Sequence, residues 1–163
     1  MQLHVIESDL LVQLVGAIVN PWNRNIIPWW RLLTQGISRA IERQAGTQPF
    51  RGVARHGIIP LGEAVLTSPG RLPFRGIIHG VGINMLWRSF AFSARQSVRN
   101  AMRIVIEQQF RSVAFPLIGA GSGGGSPERI QGFITAELSA VPFAGKIYVV
   151  PYSNNRSAQP CAA

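Results

Sequence analysis

The stretch Ser112–Ile130, SVAFPLIGAGSGGGSPERI, passes from a short apolar segment through a glycine-rich turn into a helix start. The apolar segment is typical of a buried strand, and five of the seven residues Gly119–Gly125 are glycine. Ser126, Pro127 and Glu128 then suit the N-cap, the first helical position and the positive end of the helix dipole. Because backbone N–H groups in such a loop can converge on one point beside the dipole, this order favours an anion site, with phosphate as the obvious ligand.

The glycine loop alone leaves alternatives. Gly119, Gly121 and Gly124 satisfy the G-x-G-x-x-G motif of dinucleotide-binding folds. That motif also needs an acidic residue about 20 positions further on, and no Asp or Glu follows Glu137. A P-loop needs Gly-Lys-Ser/Thr, but Lys146 is the only lysine. A merely flexible loop is the remaining alternative, and we predict a phosphate-binding loop of a type that the motif does not identify.

The composition indicates a single globular unit. The chain has 163 residues, of which 47% are hydrophobic and 14% charged, which is enough to bury a core. We expect one domain over residues 1–152 and a disordered tail over residues 153–163. The net charge of +9 comes from arginines that are scattered along the sequence. This disfavours direct nucleic-acid binding, and attraction of phosphorylated ligands accounts for the charge.

Metal and membrane chemistry find little support in the sequence. Cys161 is the only cysteine, which excludes a disulfide framework and a cysteine zinc site. His4, His56 and His79 are far apart, so we predict no metal and no cofactor. The N-terminus lacks the pattern of a signal peptide, and no apolar stretch reaches the length of a membrane span. We therefore expect a cytoplasmic protein with no membrane partner.

Apolar runs of strand length alternate with segments of helical periodicity. Strands are predicted near residues 3–6, 16–20, 63–67, 76–81, 112–118 and 146–150, and helices near residues 36–46, 90–109 and 127–140. The segment Asn20–Asn25 has the chemistry of a loop. This alternation predicts an α/β fold with a largely parallel sheet, whose ligands bind at the carboxyl ends of the strands.

Three segments, taken in order, resemble a macro domain, the ADP-ribose-binding α/β fold. The first combines Asp9-Leu10 with Ala17-Ile18-Val19-Asn20 and Asn23. The second combines Gly62-Glu63-Ala64-Val65 with Ile77-Ile78-His79 and Gly82, and the third is Ala114–Gly121, AFPLIGAG. The resemblance spans residues 3–150 and implies a three-layer α/β/α sandwich with a mixed, largely parallel sheet.

The resemblance also implies a ligand, which is ADP-ribose or an ADP-ribosylated macromolecule, and a set of residues that bind it. Asp9 would accept the adenine amino group, with an N-cap as its alternative role. Asn20 and Asn23 would surround the distal ribose, unless they only form a turn. His79 would be a structural histidine satisfied by the backbone. The full ligand-binding set is Asp9, Leu10, Asn20, Asn23, Gly36, Ile37, Ser38, Pro116, Ile118, Gly119, Ala120, Gly121, Ser122, Gly123 and Gly124.

Departures from the family pattern bear on catalysis. Hydrolytic members carry glycines and then Val-Asp before the first helix, whereas Ser38 stands at the Asp position here, and Ile26–Trp30 has no counterpart. A serine hydroxyl is a poor general base, so hydrolysis would need a water oriented by Asn23. We take Asn23 and Ser38 as the catalytic candidates for hydrolysis of mono-ADP-ribosyl linkages or O-acetyl-ADP-ribose. The alternative is a reader that binds ADP-ribose without turnover.

Overall fold

A computed structural model describes residues 2–23, 36–83, 90–117 and 126–151, and within them one six-stranded sheet is flanked by helices. The strands are β1 (Gln2–Val5), β2 (Ala17–Asn23), β3 (Ala64–Thr67), β4 (Gly76–Ile83), β5 (Ser112–Pro116) and β6 (Lys146–Val150). The helices are α1 (Gly36–Ala45), α2 (Gln48–Arg55), α3 (Phe90–Glu107) and α4 (Pro127–Ser139), and a 3₁₀ turn covers Leu10–Val12. The predicted tail, residues 153–163, lies outside the described residues.

The strand order is β1-β6-β5-β2-β4-β3. Every pairing is parallel except that of β3 with β4. Parallel pairing explains why β5 and β6 are almost wholly apolar, since both faces of such strands are covered by helices. The predicted mixed, largely parallel sheet is confirmed.

Two apolar cores lie on opposite faces of this sheet. On one face, α3 and α4 pack against Val19, Ile78 and Phe115. On the other face, α1, α2 and the 3₁₀ turn pack against Ile18 and Ile77. Neighbouring strand residues enter different cores because side chains alternate across a strand. The result is the three-layer sandwich that the sequence analysis predicts.

The predicted loop beginning at Asn20 is wrong, because β2 continues to Asn23. Pairing with β4 extends along the whole strand, whereas pairing with β5 covers only Ala17 and Ile18 in the described part of the chain. Pro21 therefore lies beyond the strand's β5-paired segment, where its missing N–H costs no bond to β5. Pairing with the neighbouring strand β4 therefore outweighs the local preference of proline for a loop.

Helix α2 is an addition to the elements predicted from sequence. It is only eight residues long and contains Gly52, so its local signal is weak. Phe50 and Val53 bury its apolar side. Gly52 lets the helix approach β3 closely, because a Cβ atom at this position would lie 3.0 Å from the Thr67 methyl group. Tertiary packing, rather than propensity, stabilises this helix.

Across the described segments, no helix has the length and apolarity needed to cross a membrane.

Candidate functional site

Strands β2 and β5 are neighbours in the sheet, where Ala17 pairs with Val113 and Ile18 with Ala114. Both strands run parallel, and each is followed by a helix. The helix after β2, α1, joins the core on one face, whereas the helix after β5, α4, joins the core on the other. Chain direction therefore diverges at the carboxyl ends of these two strands. In open α/β sheets this divergence opens a ligand crevice, and the N-termini of α1 and α4 are the parts of those helices that suit an anion.

Asp9 lies in the connection from β1 to β2. Its Oδ1 accepts the Leu11 backbone N–H at 2.8 Å, so Asp9 is the N-cap of the 3₁₀ turn. The alternative role considered for Asp9 is thus observed, and it is compatible with adenine recognition because a carboxylate has further acceptor positions. Leu10, also in the predicted set, is buried in the core beneath the turn.

The turn around Asp9 is held by two buried residues that are not among those predicted from the sequence. Gln13 Nε2 donates to Ser8 Oγ and to the Asp9 carbonyl oxygen, both at 2.7 Å. Ser8 is fully buried and Gln13 nearly so. A polar pair five positions apart beside a candidate ligand residue was the available signal. These bonds fix the direction in which the Asp9 carboxylate leaves the backbone.

The start of α1 places Gly36, Ile37 and Ser38 together after β2. Gly36 has a φ of +55°, and a Cβ atom there would meet no atom of the described residues within 4 Å. Glycine is thus required by the backbone conformation rather than by crowding. Ser38 Oγ donates to Asn20 Oδ1 at 2.9 Å and lies 3.4 Å from the Pro21 carbonyl oxygen. The Ser38 hydroxyl therefore ties the first turn of α1 to β2.

Asn20 is fully buried within β2, so the alternative that it merely forms a turn is wrong. Its Nδ2 lies 3.1 Å from His79 Nδ1, and the other ring nitrogen, Nε2, lies 2.8 Å from Thr67 Oγ1. The buried histidine was predicted, but its partners are side chains rather than the backbone. Thr67 was missed because its only signal is a register relation, in which β3 and β4 are antiparallel and place both side chains on one face.

The surroundings of His79 keep its imidazole neutral. The Trp22 ring approaches it edge-on at 5.6 Å between centroids, and the Phe50 ring at 6.1 Å. Burial, with a smaller contribution from His56, lowers the pKa of His79 to about 3. A neutral imidazole carries one proton, so one ring nitrogen donates and the other accepts.

The second predicted loop begins at the end of β5. Pro116 is the last residue of that strand and is buried. After the loop, Ser126 caps α4, because its Oγ accepts the Arg129 backbone N–H at 3.4 Å. Its hydroxyl donates to the Glu128 carboxylate, and this bond lowers the pKa of Glu128. The predicted cap, N1 proline and first-turn acid therefore occupy their expected places.

Several predicted site residues have no described geometry. Asn23 ends β2, where the register against β4 shifts, but its side chain is not described. The insertion Ile26–Trp30 lies outside the described residues. The same holds for Ile118, Gly119, Ala120, Gly121, Ser122, Gly123 and Gly124. Their roles stay predictions.

A cavity of about 1110 Å³ opens at the opposite edge of the sheet, at the amino ends of β1, β5 and β6. Its basic lining residues are Arg75, Arg111 and Lys146. None of the predicted ligand residues lines it. Within the described ranges, no group of three or more His, Cys, Asp or Glu side chains could hold a metal ion.

Comparison with known proteins identifies the family to which this chain belongs. The macro domain profile matches residues 19–132, and the chain belongs to the macro domain family. The O-acetyl-ADP-ribose deacetylase of Citrobacter rodentium is 31% identical over 131 residues, which cover 76% of this chain and 70% of that protein. The Escherichia coli K12 protein of the same name is 30% identical, with the same coverage.

Solved structures agree with the fold. The Oceanobacillus iheyensis macrodomain with ADP superposes with a TM-score of 0.77 at 26% identity, covering 92% of this chain and 83% of that one. A variant of the same macrodomain has been solved with ADPR and gives the same TM-score. The macrodomain of Thermus aquaticus DarG shares the fold, with a TM-score of 0.73 at 22% identity, covering 93% of this chain and 98% of that one.

Proposed function

We propose that this protein binds ADP-ribose in the crevice between β2 and β5 and hydrolyses ADP-ribosyl linkages. The observation that supports the proposal most is the arrangement of two adjacent parallel strands that are followed by helices on opposite faces. The diphosphate would lie between the N-termini of α1 and α4, where helix dipoles and backbone N–H groups stabilise negative charge. The names of the related deacetylases and the ADP-bound and ADPR-bound macrodomains support the same ligand.

The adenine end of the ligand would lie at the Asp9 turn. One carboxylate oxygen caps the turn at Leu11, and the remaining acceptor positions can bind the adenine amino group. A hydrogen bond to a charged group contributes about 1.5–3 kcal/mol, so Asp9→Ala should weaken ADP-ribose binding about tenfold or more. Asp9→Asn is the matched control for stability, because its amide oxygen can keep the cap while its NH₂ group faces the adenine donor.

Turnover would depend on water placed by Asn23. For an ester such as O-acetyl-ADP-ribose, water adds to the acyl carbon, and the sugar oxygen leaves with a proton, giving acetate and ADP-ribose. The Ser38 hydroxyl donates to Asn20, which suits a residue that positions the first turn of α1 rather than a general base. Asn23 and the ligand's own diphosphate are then the groups that orient and activate the water.

Calorimetry with ADP-ribose, NAD and AMP tests the binding step. We expect ADP-ribose to bind most tightly and Gly121→Glu to abolish binding, because a carboxylate in the glycine loop would repel the diphosphate. Binding that survives Gly121→Glu in a folded variant would remove the premise that this loop holds the ligand.

A turnover assay on O-acetyl-ADP-ribose and mono-ADP-ribosylated protein tests the chemical step. Asn23→Ala should keep much of the binding and lose hydrolysis. The second candidate function is a reader without turnover, and the replacement of the family's acidic residue by Ser38 favours it. Tight binding with no turnover on either substrate would establish the reader and refute the hydrolase.

A further inference from the structure

A continuous series of polar side chains crosses the buried layer between the sheet and α1. Thr67 on β3 bonds to His79 on β4, at 2.8 Å between Oγ1 and Nε2. His79 in turn bonds to Asn20 on β2, at 3.1 Å between Nδ1 and Nδ2. Asn20 Oδ1 accepts the Ser38 hydroxyl at 2.9 Å. We call these four residues the buried relay, and it connects an edge strand to the first turn of α1.

With the Asn20 amide oxygen toward Ser38, the hydrogen bonds of the buried relay run in one direction. Asn20 Oδ1 faces Ser38, so Nδ2 faces His79, and an amide nitrogen can only donate. His79 Nδ1 must then accept, and the ring proton is on Nε2, which donates to Thr67 Oγ1. The Thr67 hydroxyl keeps its own proton for the Ser68 carbonyl oxygen at 3.3 Å or that of Ile77 at 3.5 Å.

Because these side chains are buried, the direction of their hydrogen bonds affects the stability of the fold. Asn20 and His79 are fully buried, and Thr67 is 7% exposed. A buried donor or acceptor without a partner destabilises the folded state, so a change at one end of the series disturbs the next bond. The neutral imidazole has two tautomers. With Asn20 Nδ2 toward His79, the Nε2–H form satisfies both neighbours, whereas the Nδ1–H form requires the Asn20 amide to turn and the Ser38 hydroxyl to donate to the Pro21 carbonyl oxygen, at 3.4 Å.

We propose that Thr67 and His79 are positioning residues for the ligand site. They set the orientation of the Asn20 amide, and through it they fix Ser38 and the first turn of α1. This turn begins at Gly36, whose left-handed φ is available because glycine has no side chain to restrain the backbone. The inference rests on the proposed function in one respect, namely that the first turn of α1 faces the diphosphate.

Thr67→Val is the decisive variant, because it keeps the shape of the side chain and removes the hydroxyl. His79 Nε2–H then loses its acceptor, and the ring should move its proton to Nδ1. Nδ1–H would meet the Asn20 NH₂ group, so the amide must turn or break its bond to Ser38. We expect ADP-ribose affinity to fall about tenfold.

Three measurements follow the effect along the buried relay. ¹⁵N NMR of the histidine ring should show the Nε2–H tautomer in the wild type and its loss in Thr67→Val. The backbone amide signals of residues 36–38 should shift, and calorimetry should show the weaker binding of ADP-ribose. Thr67→Ser, which keeps a hydroxyl, should restore all three. Thr135→Val is the matched control, because the Thr135 hydroxyl bonds only within α4 in the described residues.

The outcomes separate this inference from the proposed function. A wild-type Nδ1–H tautomer overturns the inference without any variant. So does a Thr67→Val protein whose 36–38 signals or ADP-ribose affinity equal those of the wild type. If the wild type fails to bind ADP-ribose, the proposed function fails, while the ring and amide signals still test the relay. Thr67→Ala replaces Thr67→Val if the latter does not fold.

Discussion

Replacing His79 by glutamine should remove much of the protein's sensitivity to acid. The folded state holds this imidazole neutral, since burial lowers its pKa from 6.5 to about 3. The unfolded chain therefore binds one more proton than the folded chain between these two values. Stability from this group is fully present above about pH 6.5 and is lost as the pH falls towards 3.

The size of the effect follows from the two pKa values. Integrating the proton linkage from pH 7 to pH 4.5 gives a loss of about 2–3 kcal/mol in the free energy of unfolding of the wild type. Glutamine does not titrate in this range, so His79→Gln should lack this component even if it is less stable at pH 7. The difference between the two pH profiles isolates His79, because the carboxylates are common to both proteins.

Urea denaturation at half-unit steps between pH 7 and pH 4.5 measures both profiles. His56→Gln is the control, since the His56 side chain is exposed at the end of α2, and it should keep nearly all of the wild-type dependence. Parallel profiles for the wild type and His79→Gln would refute the reasoning, because they would mean that the folded protein accepts a proton at His79 at no cost.

Further predictions concern stability, each measured by urea denaturation. Among the described residues, Ser97 Oγ is buried without a hydrogen-bond partner, so Ser97→Ala should stabilise the protein by about 1 kcal/mol. Ser93→Ala, which removes the buried bond to a β4 carbonyl oxygen, should destabilise the protein by a similar amount. If the two substitutions changed the free energy of unfolding in the same direction, this reasoning would be wrong. Gly70→Ala should cost about 2 kcal/mol or more, because the φ of Gly70 is +61° and the new Cβ would lie 2.3 Å from a carbonyl oxygen of α1. Gly57 also has a positive φ, +68°, but a Cβ there would meet no atom of the described residues within 4 Å, so Gly57→Ala should cost only about 1 kcal/mol. Glu137 Oε1 lies 2.6 Å from Arg95 Nε, and Glu137 Oε2 lies 3.3 Å from Arg99 Nε; both arginines are half-exposed. Glu137→Gln should therefore cost about 1 kcal/mol. A cost that does not shrink at high salt would argue against an ionic origin.

Local patterns were sufficient for most of the architecture. Apolar runs bounded by turn residues located the strands, and the predicted strand at Lys146–Val150 has the observed limits. The Ser126-Pro127-Glu128 helix start was also readable, because capping depends on residues that are neighbours in sequence. The macro domain resemblance then supplied the family, which the comparison confirms.

Contacts between distant segments decided the rest. Pro21 lies in a strand because β4 pairs with it, and α2 forms because Gly52 packs closely on Thr67. These outcomes depend on partners that are far away in sequence. The free energy of packing against those partners outweighs the local propensity of the segment.

The candidate site divides in the same way. The sequence by itself indicated Asp9, Asn20, Ser38 and His79 as candidates, because residue type and order suffice for that. Only the tertiary structure decided that Asn20, Ser38 and His79 belong to one series of buried hydrogen bonds ending at Thr67. Hydrogen bonds depend on distance and direction in space, and strand register and helix packing, rather than sequence spacing, set both.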